Sequence, residues 1–148
     1  MTQLGVCIGR QLRGGELLEL VGDVGAGKTT LTKGIAKGLE VTEQVQSPTF
    51  TISREYVSPS KIRLIHYDFY RLTDGGIMAD ELDEVLQDPR AAVVIEWAEA
   101  IDHVLPDERI KIQINPVANK KDAREVTILG TAPYSQRIKK EVDGVFTT

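Results

Sequence analysis

Apolar and polar positions along this chain follow two periods, and the switches between them mark its elements. Over residues 3–13, Leu4, Ile8 and Leu12 share one helical stripe with Cys7 beside it, which predicts an amphipathic helix. Gly14 and Gly15 end that helix. "ELLELV" (16–21) predicts a short buried strand, and helical spacing returns through Leu31, Ile35 and Leu39 in residues 28–39. "SPTF" (47–50) interrupts the pattern, because Pro48 cannot donate to a central ladder. Residues 50–57 and 61–67 predict two strands joined by "SPS", hence a hairpin. "MADELDEVLQD" (78–88) predicts a short helix with Leu82 and Leu86 facing inward. "AAVVIEW" (91–97) is the clearest buried strand. "ERIKIQI" (108–114) alternates cleanly through Ile110, Ile112 and Ile114, "REVTILG" (124–130) less so, and a last helix is expected over about 134–142. Strands separated by helices, with a hairpin inserted, predict an α/β domain built on a central mixed sheet flanked by helices.

Composition sharpens that picture. The 148 residues, 41% hydrophobic and 27% charged, suit one ordinary domain with a substantial core, so residues 1–148 are expected to form a single unit. Runs such as "AAVVI" are too short to span a bilayer, and "MTQLGVCIGRQLR" lacks a basic start followed by an apolar block. The lone cysteine, Cys7, cannot close an internal disulfide. A soluble, cytoplasmic protein with no membrane partner is expected. The net charge of −4 argues against direct, strong binding of RNA or DNA, since the one tight basic group is Lys120 and Lys121 with nearby Arg124. A role at one remove from a nucleic acid stays open.

The chemistry concentrates in "GDVGAGKT". It fits G-x-x-x-x-G-K-[ST] at Gly22, Gly27, Lys28 and Thr29, with a buried strand before it and a helix after it. Glycines let backbone N–H groups curl around phosphate oxygens at the positive end of the helix dipole. The expected cradle is Gly22, Asp23, Gly25, Ala26, Gly27, Lys28, Thr29 and Thr30. Lys28 would reach the β- and γ-phosphates, and the Thr29 hydroxyl would ligate Mg²⁺. An acidic partner is expected at the tip of a neighbouring strand. Asp68 ends "IRLIHYD" and Glu96 ends "AVVIE"; Glu96, after the more apolar strand, is the metal candidate, and Asp68 is placed to orient or deprotonate a water.

Other readings compete. Asn119, Lys120, Lys121 and Asp122 spell N-K-x-D, the element with which GTPases read guanine. They follow "NPVA" between two half-exposed segments, where a polar hairpin tip is expected, and Asp68 is followed by "FYR" rather than completing an Asp-x-x-Gly pattern. A small-molecule kinase would want a mobile, arginine-bearing lid, and the arginines here are scattered. A nucleotide-regulated binding module with little turnover is the third reading. An activating arginine raises phosphoryl transfer by about 10³–10⁵-fold; Arg54 and Arg71 are candidates that the sequence does not separate.

Taken in order, "GDVGAGKTTLTKG", "SPTFTISREY", "HYDFYRL" and "IEWAE" resemble the bacterial TsaE (YjeE) family, small P-loop ATPases of tRNA threonylcarbamoyladenosine biosynthesis. The resemblance runs from about Leu4 to the final helix. It implies a P-loop NTPase fold, ATP hydrolysed to ADP, and Mg²⁺ held by Thr29 and Glu96, with Asp68 a catalytic or metal-linked acid. "SPTF" would sense phosphate with Thr49 facing the site, and Trp97 would lie beside the nucleotide. The partners implied are the protein subunits that install threonylcarbamoyl on an adenosine next to the tRNA anticodon, with ATP hydrolysis resetting that complex and tRNA met only indirectly. His66, Tyr67 and Tyr70 are open between packing and function, and His103 is expected on a helix surface. Family members carry a further N-terminal segment, often including a strand, ahead of the "LG" that here is Leu4 and Gly5. By that comparison the strand, with any adenine contacts it provides, is expected to be missing from this sequence.

Overall fold

In the computed structural model, residues 1–23, 25–46, 48, 51–72 and 75–146 are described. The first helix, α1 (Thr2–Gln11), buries Leu4, Cys7 and Ile8 as its stripe predicts and ends where Leu12 turns extended. Strand β1 (Leu17–Val21) follows, then α2 (Lys28–Gly38), which begins directly behind the glycine-rich loop. The predicted hairpin forms from β2 (Ser53–Val57) and β3 (Arg63–Asp68), paired antiparallel with Ser53 opposite Tyr67. Its first strand begins at Ser53, leaving Thr51 and Ile52 of the expected strand outside it. Ile52 has a left-handed backbone (φ 67°), its N–H bonds to Pro48 O at 2.7 Å, and Thr51 and Ile52 lie in a turn.

After α3 (Gly76–Leu86) comes β4 (Ala91–Glu96), buried at every position. A 3₁₀ helix (Ala98–Val104) that the periodicity did not announce carries His103 on its exposed side. Strands β5 (Ile110–Val117) and β6 (Lys120–Gly130) make a second antiparallel hairpin, and α4 (Pro133–Val145) closes the chain with Pro133 in its first turn. Proline is suited there, because the amide it lacks would have no helical partner.

The sheet order is β2-β3-β4-β1-β5-β6. The four central strands run parallel and the outer two antiparallel, so the sheet is mixed. The predicted insertion is therefore only half peripheral, since β3 is a parallel strand of the core. One face buries Leu18, Leu20, Leu64, Val94 and Ile112 with α1 and α2; the other buries Ile65, Tyr67, Val93 and Ile95 with Leu82 and Ile101.

Four glycines set the fit of α1 on α2. A Cβ on Gly5 would stand 2.4 Å from Leu31 O, one on Gly9 2.2 Å from Ile35 O, one on Gly34 2.4 Å from Thr2 O, and one on Gly38 2.4 Å from Val6 O. Each helix thus turns a pair of glycines four residues apart toward the other, and the two backbones touch. Small residues at this spacing are what allow such close approach.

Candidate functional site

The site is assembled at the carboxyl ends of β1, β3 and β4. From Gly22 the chain turns through a bond from Ala26 N–H to Asp23 O (2.9 Å) and passes Gly25 and Gly27, whose φ values of 83° and 113° are left-handed. Gly27 caps α2 and has no side chain to engage its first amides, which suits an anion at that helix end. Gly22 is pressed against β5, for a Cβ there would stand 2.9 Å from Ile114 O.

Lys28, the first residue of α2, is 5% exposed. Its Nζ donates to Gly22 O at 2.7 Å and lies 3.7 Å from the centre of the Trp97 ring. Burial lowers its pKa below the ordinary 10.5, and the carboxylates of Glu96, Asp68, Glu99 and Asp23 pull the other way. Trp97 leaves β4 with a left-handed backbone (φ 58°), strained for an aromatic residue, and its ring meets that of exposed Tyr70 at 5.0 Å.

The two acids predicted at strand tips are brought together. Asp68 and Glu96 are register partners in the β3–β4 ladder and are 7% and 3% exposed. Asp68 Oδ1 accepts from Tyr70 N–H at 3.0 Å, and Asp68 N–H donates to Ile52 O at 2.8 Å. Glu96 Oε2 shares a 2.6 Å hydrogen bond with His66 Nε2, both side chains being buried. The structure thus gives His66, left open by the sequence, a polar partner. Tyr67 points to the opposite face and stacks on Phe69.

Of the remaining predicted residues, Thr29 is half-buried in the first turn of α2, while Asp23 and Thr30 are exposed. Thr49 lies outside the described residues, as do Ser47 and Phe50 of "SPTF". Arg54 and Arg71 are both exposed. Asn119, Lys120, Lys121 and Asp122 are exposed at the β5–β6 hairpin tip, where Asn119 supplies the left-handed turn residue (φ 63°). That is the polar hairpin tip expected. A cavity of about 240 Å³ opens beside the loop, lined by Asp23, Lys28, Trp97, Glu99, Gln113 and Asn115. Gln113 and Asn115 escaped sequence reasoning, because they occupy the polar half of an ordinary alternating strand. A roomier groove of about 810 Å³ lies elsewhere, between α1, α4 and β6.

This arrangement of loop, lysine and strand-tip acids occurs within a stretch that matches a known family. The model of the threonylcarbamoyl adenosine biosynthesis protein TsaE covers residues 1–126. The chain belongs to the TsaE family. It is similar to the tRNA threonylcarbamoyladenosine biosynthesis protein TsaE of Bacillus subtilis, 44% identical over 128 residues that make up 86% of this chain and 78% of the relative. The Streptomyces coelicolor protein of the same name is 37% identical over 133 residues, 88% of this chain and 90% of its own. The crystal structure of Bacillus subtilis YdiB superposes with a TM-score of 0.79 at 33% identity, over 97% of this chain and 87% of that one. The fold is therefore that of TsaE, a P-loop NTPase fold, and all the candidate residues fall within the segment that matches TsaE. No helix among the described residues is long and apolar enough to cross a membrane.

Proposed function

We propose that this TsaE-family chain is a magnesium-dependent ATPase. It would support, and reset between turnovers, the protein assembly that forms threonylcarbamoyladenosine in tRNA next to the anticodon. The observation that carries the reading is the pairing of Asp68 with Glu96 at adjacent strand ends, both acting electrostatically on a buried Lys28 that opens the loop helix. Residues 1–148 act as one ATPase domain in the cytoplasm. Partner contacts are with the other protein subunits, and tRNA is met through them, in keeping with a net charge of −4.

The loop amides and Lys28, with Gly22, Asp23, Gly25, Ala26, Gly27 and Thr30 around them, cradle the triphosphate, and Thr49 completes the phosphate contacts. The donor set suits magnesium: Thr29 offers a hydroxyl and Glu96 a carboxylate, both hard oxygens. Among the described residues no three His, Cys, Asp or Glu side chains gather into a cage. Such a site fits a cation that takes its other ligands from phosphate and water. Bound by Thr29 and Glu96, magnesium would supply neutralisation of charge on the phosphate oxygens. Asp68 orients a water toward the terminal phosphorus and takes its proton. As the new P–O bond forms, the bond to the bridging oxygen breaks, and ADP and phosphate leave.

Binding of ATP and GTP, each with Mg²⁺, and release of phosphate, with and without the partner subunits, test the proposal. ATP-selective binding with turnover that rises with partners is expected. A preference for GTP would transfer the base-reading role to Asn119 and Asp122. Binding without turnover, even in the full assembly, would leave a nucleotide-regulated binding module.

A further inference from the structure

We propose that His66 is a positioning residue for Glu96, fixing which carboxylate oxygen is offered to a metal ion. This rests on the reading of Glu96 as a metal-holding residue. The two residues stand diagonally on one face of the sheet: His66 is the register partner of Val94, and Glu96 that of Asp68. His66 therefore lies one pleat beneath the acid pair, on the face that carries α1 and α2. Its side chain is 0% exposed and that of Glu96 4%.

The metal-holding role requires Glu96 as a carboxylate, which only accepts, and the tautomer of His66 that fits it carries its proton on Nε2 and donates across the 2.6 Å contact. The ring's other nitrogen, Nδ1, is buried and has no hydrogen-bond partner among the described residues. A residue present only to fill space would be apolar, since an unmatched buried polar atom is a standing cost. One nitrogen is thus left unmatched while the other is spent on Glu96. Donation to Oε2 leaves Oε1 for a cation.

The anchors of the two acids also differ. Asp68 is held from above by the Tyr70 amide, and Glu96 from below by His66. Adjacent carboxylates on neighbouring strands would otherwise repel and compete for one cation. Held from opposite directions, they take separate roles, one toward metal and one toward water. Outer-shell partners of this kind orient metal ligands, and their loss typically lowers metal affinity about 10–100-fold.

The test titrates Mg²⁺ into protein carrying substoichiometric ADP and reads the fluorescence of Trp97, beside Glu96. Parallel calorimetry of ADP in EDTA reads binding without metal. In His66→Leu the half-saturating Mg²⁺ concentration should rise about 10–100-fold, while ADP affinity in EDTA stays at the parent value. His66→Gln, whose amide reaches about as far as Nε2, should restore Mg²⁺ binding to near the parent. His66→Asn, too short to reach Glu96, should behave like the leucine variant and serves in its place if that protein does not fold. Glu96→Gln separates the two ideas. If it weakens Mg²⁺ binding and the His66 variants do not, the positioning role is overturned alone. If Glu96→Gln leaves Mg²⁺ binding unchanged, the metal assignment falls and takes the role of His66 with it.

Discussion

Lys28 Nζ sits 3.7 Å from the centre of the Trp97 ring while donating to Gly22 O. The lysine is thus held by a carbonyl of its own loop and an aromatic face, both of which the proposed phosphate ligand would have to displace. The charge lies in a buried setting, where a cation over a ring is stronger than at an exposed site.

Replacing Lys28 with alanine removes the charge at the proposed β- and γ-phosphate position. Turnover should fall about 10²–10³-fold or more, the scale on which loss of one preorganised electrostatic donor is felt. Trp97 emission should change in the same variant before any nucleotide is added. Undiminished phosphate release from Lys28→Ala would remove the site assignment.

Asp68→Asn keeps an oxygen to accept from Tyr70 N–H but cannot take a proton. Nucleotide affinity by calorimetry should persist while turnover drops about 10²–10⁴-fold, the usual worth of a general base. A loss of folding stability with unchanged turnover per folded molecule would instead make Asp68 a structural residue.

Alkaline stability should reflect Tyr67. Burial pushes its hydroxyl up to about 12 from 10, with the Glu81 carboxylate adding to the effect. A folded-state pKa above the unfolded one means that the folded state holds the proton longer. Its contribution is whole below pH 10 and is lost as pH rises from 10 toward 12. The displacement corresponds to at most roughly 2.7 kcal/mol. Urea denaturation across that range should show a shallower loss in Tyr67→Phe than in the parent; parallel curves would refute the assignment.

Glycine-to-alanine substitution should have opposite signs in the α1–α2 contact and on open α4. Gly9→Ala would bring a methyl to 2.2 Å from Ile35 O and should destabilise by about 1–3 kcal/mol, as overpacking does. Gly144→Ala, in α4 with nothing within 4 Å, should stabilise by about 0.4–1 kcal/mol. Denaturation midpoints of the two variants should fall on either side of the parent.

Much of this was legible because periodicity and local motifs are local. Leu4, Ile8 and Leu12 announced α1, the isoleucines announced β5, and the glycine-rich loop announced its own turn. The acids at positions 68 and 96 could be placed at strand ends from the apolar runs before them. What the sequence left hidden is non-local. No pattern states that β3 and β4 pair in the register that sets Asp68 beside Glu96, or that His66 then reaches Glu96. The first half of β6 was missed because "KKDAR" has no apolar alternation; it is a strand through its backbone pairing with β5. The glycine pairs of α1 and α2 were invisible because a missing side chain leaves no hydrophobic mark.

The sheet order carries a consequence for how the molecule is made. The strand that leads into the phosphate loop ends at residue 21, yet its two neighbours are residues 91–96 and 110–117. On a ribosome the loop emerges before both of these neighbours, and the two edges of its strand wait for partners some seventy to ninety residues away. Closing such distant pairings is the slow part of folding. The segment proposed to grip the nucleotide is thus synthesised well before the strands that hold it in place.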